Sequence, residues 1–228
     1  MEEEKIQNHG EISLAHHGVL FLDELPEFNK NVLELLRGPL EDKIVAISRL
    51  NMAITYPCNF IFVASMNPCP CGYYGSSDKE CKCKQEQIKK YMNKISGPLL
   101  DRIDLHIEVE SVKYEKLKCN EKVEKSEDIR KRVNNARKIQ LKRYKKYSIF
   151  SNAELPPRLI DKYCKLDSKS KKILERAFEK LGLSARAYGR ILKVARTIAD
   201  LEQSVNIEIN HLVEAIQYRS LDRKYWGN

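Results

Sequence analysis

Two adjacent carboxylates, Asp23 and Glu24, directly follow four bulky apolar residues, Val19-Leu20-Phe21-Leu22. An unbroken apolar run of that kind reads as a strand buried on both faces, in a parallel sheet covered by helices. The acids then stand at its C-terminal end, the sheet edge where ligands bind in open α/β folds. Asp23 is placed there to hold a Mg²⁺ through its waters, and Glu24 to orient or deprotonate an attacking water, as hydrolysis of a phosphate ester requires. This is a Walker B pattern; the plainer alternative is a buried strand followed by a solvated acidic turn. A second apolar run, Phe60-Ile61-Phe62-Val63-Ala64, leads into Met66-Asn67-Pro68 and brings the Asn67 amide to the same edge. An amide there can position a water or touch a γ-phosphate without adding charge.

Four thiols come next, as Cys69-Pro-Cys71 and Cys81-Lys-Cys83, separated by nine residues that include Gly72-Tyr73-Tyr74-Gly75. Together they can supply four thiolates to a tetrahedral Zn²⁺ of structural type, since no open ligand position or general base lies nearby to make a metal catalytic. Reduced surface thiols are the alternative. Arg102 sits between Asp101 and Asp104, either as a structural ion pair with one of them or as a guanidinium offered to a phosphate of a neighbouring subunit. Arg186 falls in the first turn of a helix capped by Ser184. The helix dipole favours an anion there, so an arginine makes sense with a phosphate opposite, the alternative being a solvated side chain at a helix start.

The elements that must carry these groups follow from periodicity. Residues 12–15 head into the first strand. Glu27 to Leu40 reads as an amphipathic helix with Phe28, Val32, Leu35 and Leu36 on one stripe, ending at Gly38-Pro39. Residues 44–56 read as a hairpin around Leu50-Asn51; residues 84–95 are basic and helical; a third strand is expected after Asp104, through Leu105, Ile107 and Val109. From Ser111 the composition turns charged, giving a linker at 113–126. Helices are then expected at about 129–147, 156–164, 168–181, 184–201 and 209–219, with Ile191, Leu192, Val194, Ala195, Ile198 and Leu201 as core. The fold class is α/β, a parallel sheet core followed by an all-α unit.

The chain has 228 residues, enough for one large domain or a medium and a small one. Seven cysteines, an odd number, argue for reduced thiols or metal rather than a disulfide framework. No apolar run approaches ~18 residues and no signal peptide leads the chain, so no membrane association and a cytoplasmic location are expected. A net charge of +9, concentrated between Lys113 and Arg196, suggests a polyanionic partner or else a solvated basic face.

The order of Walker B strand, helix, hairpin, strand ending in asparagine, and Gly97-Pro-Leu-Leu-Asp-Arg-Ile-Asp104 resembles the AAA+ ATPases of the clade holding magnesium chelatase subunit I and the MCM helicases. The phrases 10–28, Asn67-Pro-Cys-Pro-Cys-Gly-Tyr-Tyr-Gly75 and 183–200 are similar to the YifB/ComM branch, magnesium chelatase-like competence proteins, over about residues 10–220. That resemblance implies a P-loop NTPase core using ATP and Mg²⁺, with Asp23 and Glu24 as Walker B, Asn67 as sensor 1, Arg102 as arginine finger and Arg186 as sensor 2. It makes 44–56 the pre-sensor-1 hairpin, which in MCM-like rings faces the central channel. Lys43 and Arg49 flank its first strand and are the candidate DNA contacts, with Arg49 alternatively paired to Glu41 or Asp42. The organisation expected is 1–112 as the C-terminal part of an AAA+ core, 113–126 as linker and 127–228 as a helical lid.

One departure matters. No G-x-x-x-x-G-K-[ST] occurs, and no glycine is followed by lysine. The family carries its P-loop upstream of the Walker B strand, so this chain resembles the C-terminal half of such a protein, inactive alone. For the full-length form the resemblance implies a ring, a hexamer, driving helicase or branch-migration chemistry on DNA during recombination in natural transformation. The alternative function is a magnesium chelatase subunit I-like motor for metal insertion into a porphyrin.

Overall fold

A computed structural model describes residues 10–49, 52–76, 78–109 and 124–219; of Arg49 and Met52 it describes the main chain alone. The chain divides between Ile103 and Asp104 into two compact units. The division falls ahead of the expected boundary at 112 because residues after 103 attach to the helical part. His106 N donates to the Tyr218 carbonyl at 2.9 Å, and Arg190 donates to the Asp104 carboxylate. The proposed linker at 113–126 lies mostly outside the described residues.

In the first unit, α1 (Glu11–Leu14) precedes β1 (Val19–Leu22), and a 3₁₀ turn (Leu25–Glu27) leads into α2 (Lys30–Leu35) and α3 (Arg37–Asp42). The hairpin follows as expected, β2 (Ile44–Arg49) antiparallel to β3 (Met52–Pro57). Next come β4 (Ile61–Ala64), α4 (Gln85–Met92) and α5 (Gly97–Leu100). β1 and β4 pair in parallel, in the register Val19↔Ile61 to Leu22↔Ala64. This is a partial α/β core.

Three expectations are corrected here. β1 is not buried on both faces: Val19, Phe21, Ile61 and Val63 share one face and are 58%, 57%, 64% and 42% exposed, because no described element packs over them. The helix expected over 27–40 is broken. Pro39 would clash with the carbonyl four residues back in a continuous helix, whereas in the first turn of a new one its missing N–H costs nothing. With α2 starting at the Asn29 cap, whose side chain accepts from Asn31 N at 2.9 Å, the buried stripe becomes Leu33, Leu36 and Leu40, and Val32 and Leu35 face outward. Finally, 105–109 forms no strand; it is irregular, with Ile107 and Val109 well exposed, since no strand among the described residues pairs with it to complete a ladder.

The second unit is helical: α6 (Ser126–Arg143), α7 (Pro157–Tyr163), α8 (Ser168–Leu181), α9 (Ala185–Leu201) and α10 (Ile209–Gln217). Asp167 and Ser184 cap α8 and α9, accepting from Ser170 N and Ala187 N, and Gly182 closes α8 in the left-handed conformation at φ 62°. Tyr144, Leu155, Leu174, Ile191, Leu192 and Leu212 anchor its core. Asp200 is fully buried within this unit, taking Arg143 and Arg196 as ion-pair partners and the Asn152 amide as a further donor at 2.9 Å. Among the described residues no helix is long and apolar enough to cross a membrane.

Candidate functional site

The parallel register sets the geometry of the acid edge. Leu22 lies opposite Ala64, so the next residue of each strand, Asp23 and Ser65, meet at the sheet's C-terminal end. Ser65 N donates to the Leu22 carbonyl at 3.0 Å and Leu25 N to the Ser65 carbonyl at 2.9 Å, tying the two strand ends together. Asp23 Oδ1 then accepts from the Ser65 hydroxyl and from Glu24 N, the latter at 3.0 Å. Glu24 adopts the left-handed conformation, φ 51° and ψ 48°, as the chain turns into the 3₁₀ segment begun by Leu25 and Pro26. For a residue with a Cβ this backbone is unfavourable by about 1 kcal/mol, and such strain concentrates at functional sites.

Asp23, Glu24, Ser65, Met66 and Asn67 line one cleft of about 220 Å³. The structure therefore brings together three groups that the sequence singled out, Asp23, Glu24 and Asn67. Two carboxylates and an amide around a small open cleft can hold a hydrated divalent cation and orient a water. Two contributors were missed. Ser65 orients Asp23, a role readable from the sequence once the two apolar runs are paired in parallel. Tyr91, from α4, reaches the Asn67 backbone; its burial, then the negative charge of Glu27, push the phenol above its ordinary pKa, against that main-chain hydrogen bond.

Arg102 lies elsewhere in this unit. Its side chain is 8% exposed and donates to the carboxylate of Glu41, to the Arg37 carbonyl at 3.1 Å and to the Pro98 carbonyl at 2.7 Å. The carboxylate in this ion pair is that of Glu41 and not of Asp101 or Asp104, the structural partners that the sequence offered as one alternative. Arg186 is exposed in the first turn of α9 and belongs to the second unit. Lys43 is exposed and left-handed at φ 60°, closing α3 at the base of the hairpin. Arg49 is the last residue of β2, six residues on, or about 20 Å at the usual strand rise, so the two residues stand at opposite ends of the strand; the Arg49 side chain lies outside the described residues.

The four thiols converge. The Sγ atoms of Cys69 and Cys71 are 3.4 Å apart, and each is 3.6 Å from that of Cys81. With Cys83 included, all four lie within 4.8 Å of one another. These separations are far beyond a disulfide bond of about 2.05 Å. The pKa of the Cys71 thiol is lowered to about 6, chiefly by a main-chain hydrogen bond at Tyr73.

Comparison with known proteins now decides the family. Residues 3–117 match the family described as magnesium chelatase, subunit ChlI, and residues 123–219 match magnesium chelatase, subunit ChlI C-terminal. The chain belongs to the magnesium chelatase, subunit ChlI, family. Competence protein ComM of Haemophilus influenzae is 47% identical over 94% of this chain and 41% of its own length. An uncharacterized YifB protein of Salmonella typhimurium is 46% identical over the same shares. An uncharacterized protein of Mycobacterium tuberculosis is 33% identical, over 92% of this chain and 41% of its own. The chain thus spans about two fifths of the length of these relatives.

Proposed function

We propose that this chain carries the Walker B, sensor 1 and lid portion of an ATP-driven DNA motor, a ring-forming helicase or branch-migration ATPase acting in recombination during transformation. The observation that carries the reading is the cleft at the C-terminal ends of β1 and β4, where Asp23, Glu24 and Asn67 meet around space for a hydrated cation and a water. In this reading Asp23 holds Mg²⁺-ATP, Glu24 activates the water, Asn67 senses the γ-phosphate, Arg102 serves a neighbour's nucleotide as arginine finger, and Arg186 acts as sensor 2. The four thiolates hold a structural Zn²⁺. The name of the Haemophilus relative, competence protein ComM, supports transformation as the process served.

The test joins this chain to the upstream P-loop segment that the family carries. ATP turnover should then appear, be lost in Glu24→Gln, and be negligible in the 228-residue chain alone, since the phosphate-cradling amides and lysine supply most of the β/γ-phosphate binding. Lys43→Ala and Arg49→Ala should each weaken DNA binding and reduce the salt slope by about one unit while leaving basal turnover near normal. The family description, magnesium chelatase, favours a second reading, metal insertion into a porphyrin. An active ATPase that fails to bind DNA at low salt would remove the DNA motor and leave that one.

A further inference from the structure

We infer that the metal-loaded thiolate cluster of Cys69, Cys71, Cys81 and Cys83 is the device that fixes Asn67 beside the acid pair. The inference rests on the reading of the cluster as a zinc site. A tetrahedron of sulfurs around zinc at about 2.3 Å has edges of about 3.8 Å, and the observed separations of 3.4 and 3.6 Å, with all four atoms inside 4.8 Å, bracket that edge. Four cysteines close the coordination shell, so the metal acts by holding chain rather than by binding substrate.

What it holds is the loop between β4 and α4. Among the described residues of 66–84 none lies in a helix or strand, and Cys69 alone is fully buried. Apolar burial cannot order a segment of this kind against its conformational entropy; a cross-link at its two ends can. Asn67 stands two residues before the first ligand. The turn closed by Gly72 N donating to the Cys69 carbonyl at 2.9 Å folds back over it. A Cβ placed on Gly72 would be 3.9 Å from both Cγ and Oδ1 of the Asn67 amide. On the far side of the cluster, α4 begins two residues after Cys83 and carries Tyr91 to the Asn67 backbone. Asn67 is thus approached from both strands of chain that the four thiolates bind together. Asn67 is the group positioned, and the cysteines are positioning residues.

The experiment uses the 228-residue chain prepared under reducing conditions. Metal analysis should find about one zinc per chain, and Co²⁺ exchanged for it should give the thiolate charge-transfer and intense visible bands of a tetrahedral four-sulfur site. In the same sample labelled with ¹⁵N, the side-chain amide signal of Asn67, assigned by its loss in Asn67→Asp, should shift or broaden when a chelator removes the metal, while the amide of Asn152 in the helical unit stays put. Cys71→Ser should abolish the cobalt bands and reproduce the chelated Asn67 signal. Cys83→His, which keeps a ligand, should retain both the metal and the native signal. If metal binds with the four-sulfur spectrum and the Asn67 signal ignores its removal, the positioning role is overturned while the zinc site stands. If the reduced chain takes up neither zinc nor cobalt, the zinc reading itself fails and the inference with it.

Discussion

Arg102 donates to the Glu41 carboxylate from a nearly buried position, and the same guanidinium serves the Arg37 and Pro98 carbonyls. One side chain therefore joins the end of α5 to both ends of α3. Truncating it leaves two carbonyls without their charged donor, which costs about 1–3 kcal/mol, whereas Glu41, 47% exposed, contributes to the pair at a solvent-screened position. Arg102→Ala should lower the stability of the first unit by about that 1–3 kcal/mol in urea titration, and Glu41→Gln by less than about 1 kcal/mol. Equal losses from the two variants would contradict this division.

The left-handed Glu24 leads to a separate expectation. Glycine adopts that backbone without a Cβ penalty, so Glu24→Gly should stabilise the first unit by about 1 kcal/mol while removing the acid. Glu24→Gln keeps the strained backbone and should leave the urea midpoint unchanged. A destabilised Glu24→Gly chain would mean that the carboxylate holds the turn together.

In the helical unit, Asp200 is fully buried between Arg143 and Arg196. Burial opposes and the Asp200 carboxylate favours the charge on Arg143, whose pKa ends above its ordinary value. Asp200→Ala strands two guanidinium groups and should cost about 3–5 kcal/mol. Replacing the whole network by apolar residues of similar volume should recover most of that loss, as read by thermal unfolding of the variants.

Asp167 supplies the pH-dependent case. The Ser170 main-chain N–H at 2.6 Å holds its carboxyl below the ordinary value of 3.8. A folded pKa below the unfolded one adds stability that is complete above the unfolded value and is lost as pH falls through the folded one. The second unit should therefore lose this increment below about pH 3.8. Asp167→Asn, which caps the helix without titrating, should show a shallower fall in melting temperature over the same acid range.

The acid edge was legible because its signals are local: an apolar run, two carboxylates at its end, and a second run ending in Asn67. Helices α8 and α9 were legible for the same reason, through caps at Asp167 and Ser184 and a 3.6-residue stripe. What escaped depends on partners distant in sequence. Whether Val19 and Phe21 are covered is a property of what packs on β1, which no run of residues in β1 encodes. The pairing of Arg102 with Glu41 spans sixty-one positions, a separation that no local pattern of residues signals. The break at Leu36 was signalled by Pro39, but its physical meaning was a restart rather than an end.

The uncovered face of the β1–β4 pair has a practical consequence. Among the described residues each of these strands has one hydrogen-bonded neighbour, so each also presents an open edge, flanked by the exposed Val19, Phe21, Ile61 and Val63. Short apolar strands with free main-chain groups are templates for addition of further strands from other molecules. Concentrated preparations of this chain should therefore lose material to strand-by-strand aggregation, and a charge introduced at Phe21 should slow that loss without touching the acids at the strand's end.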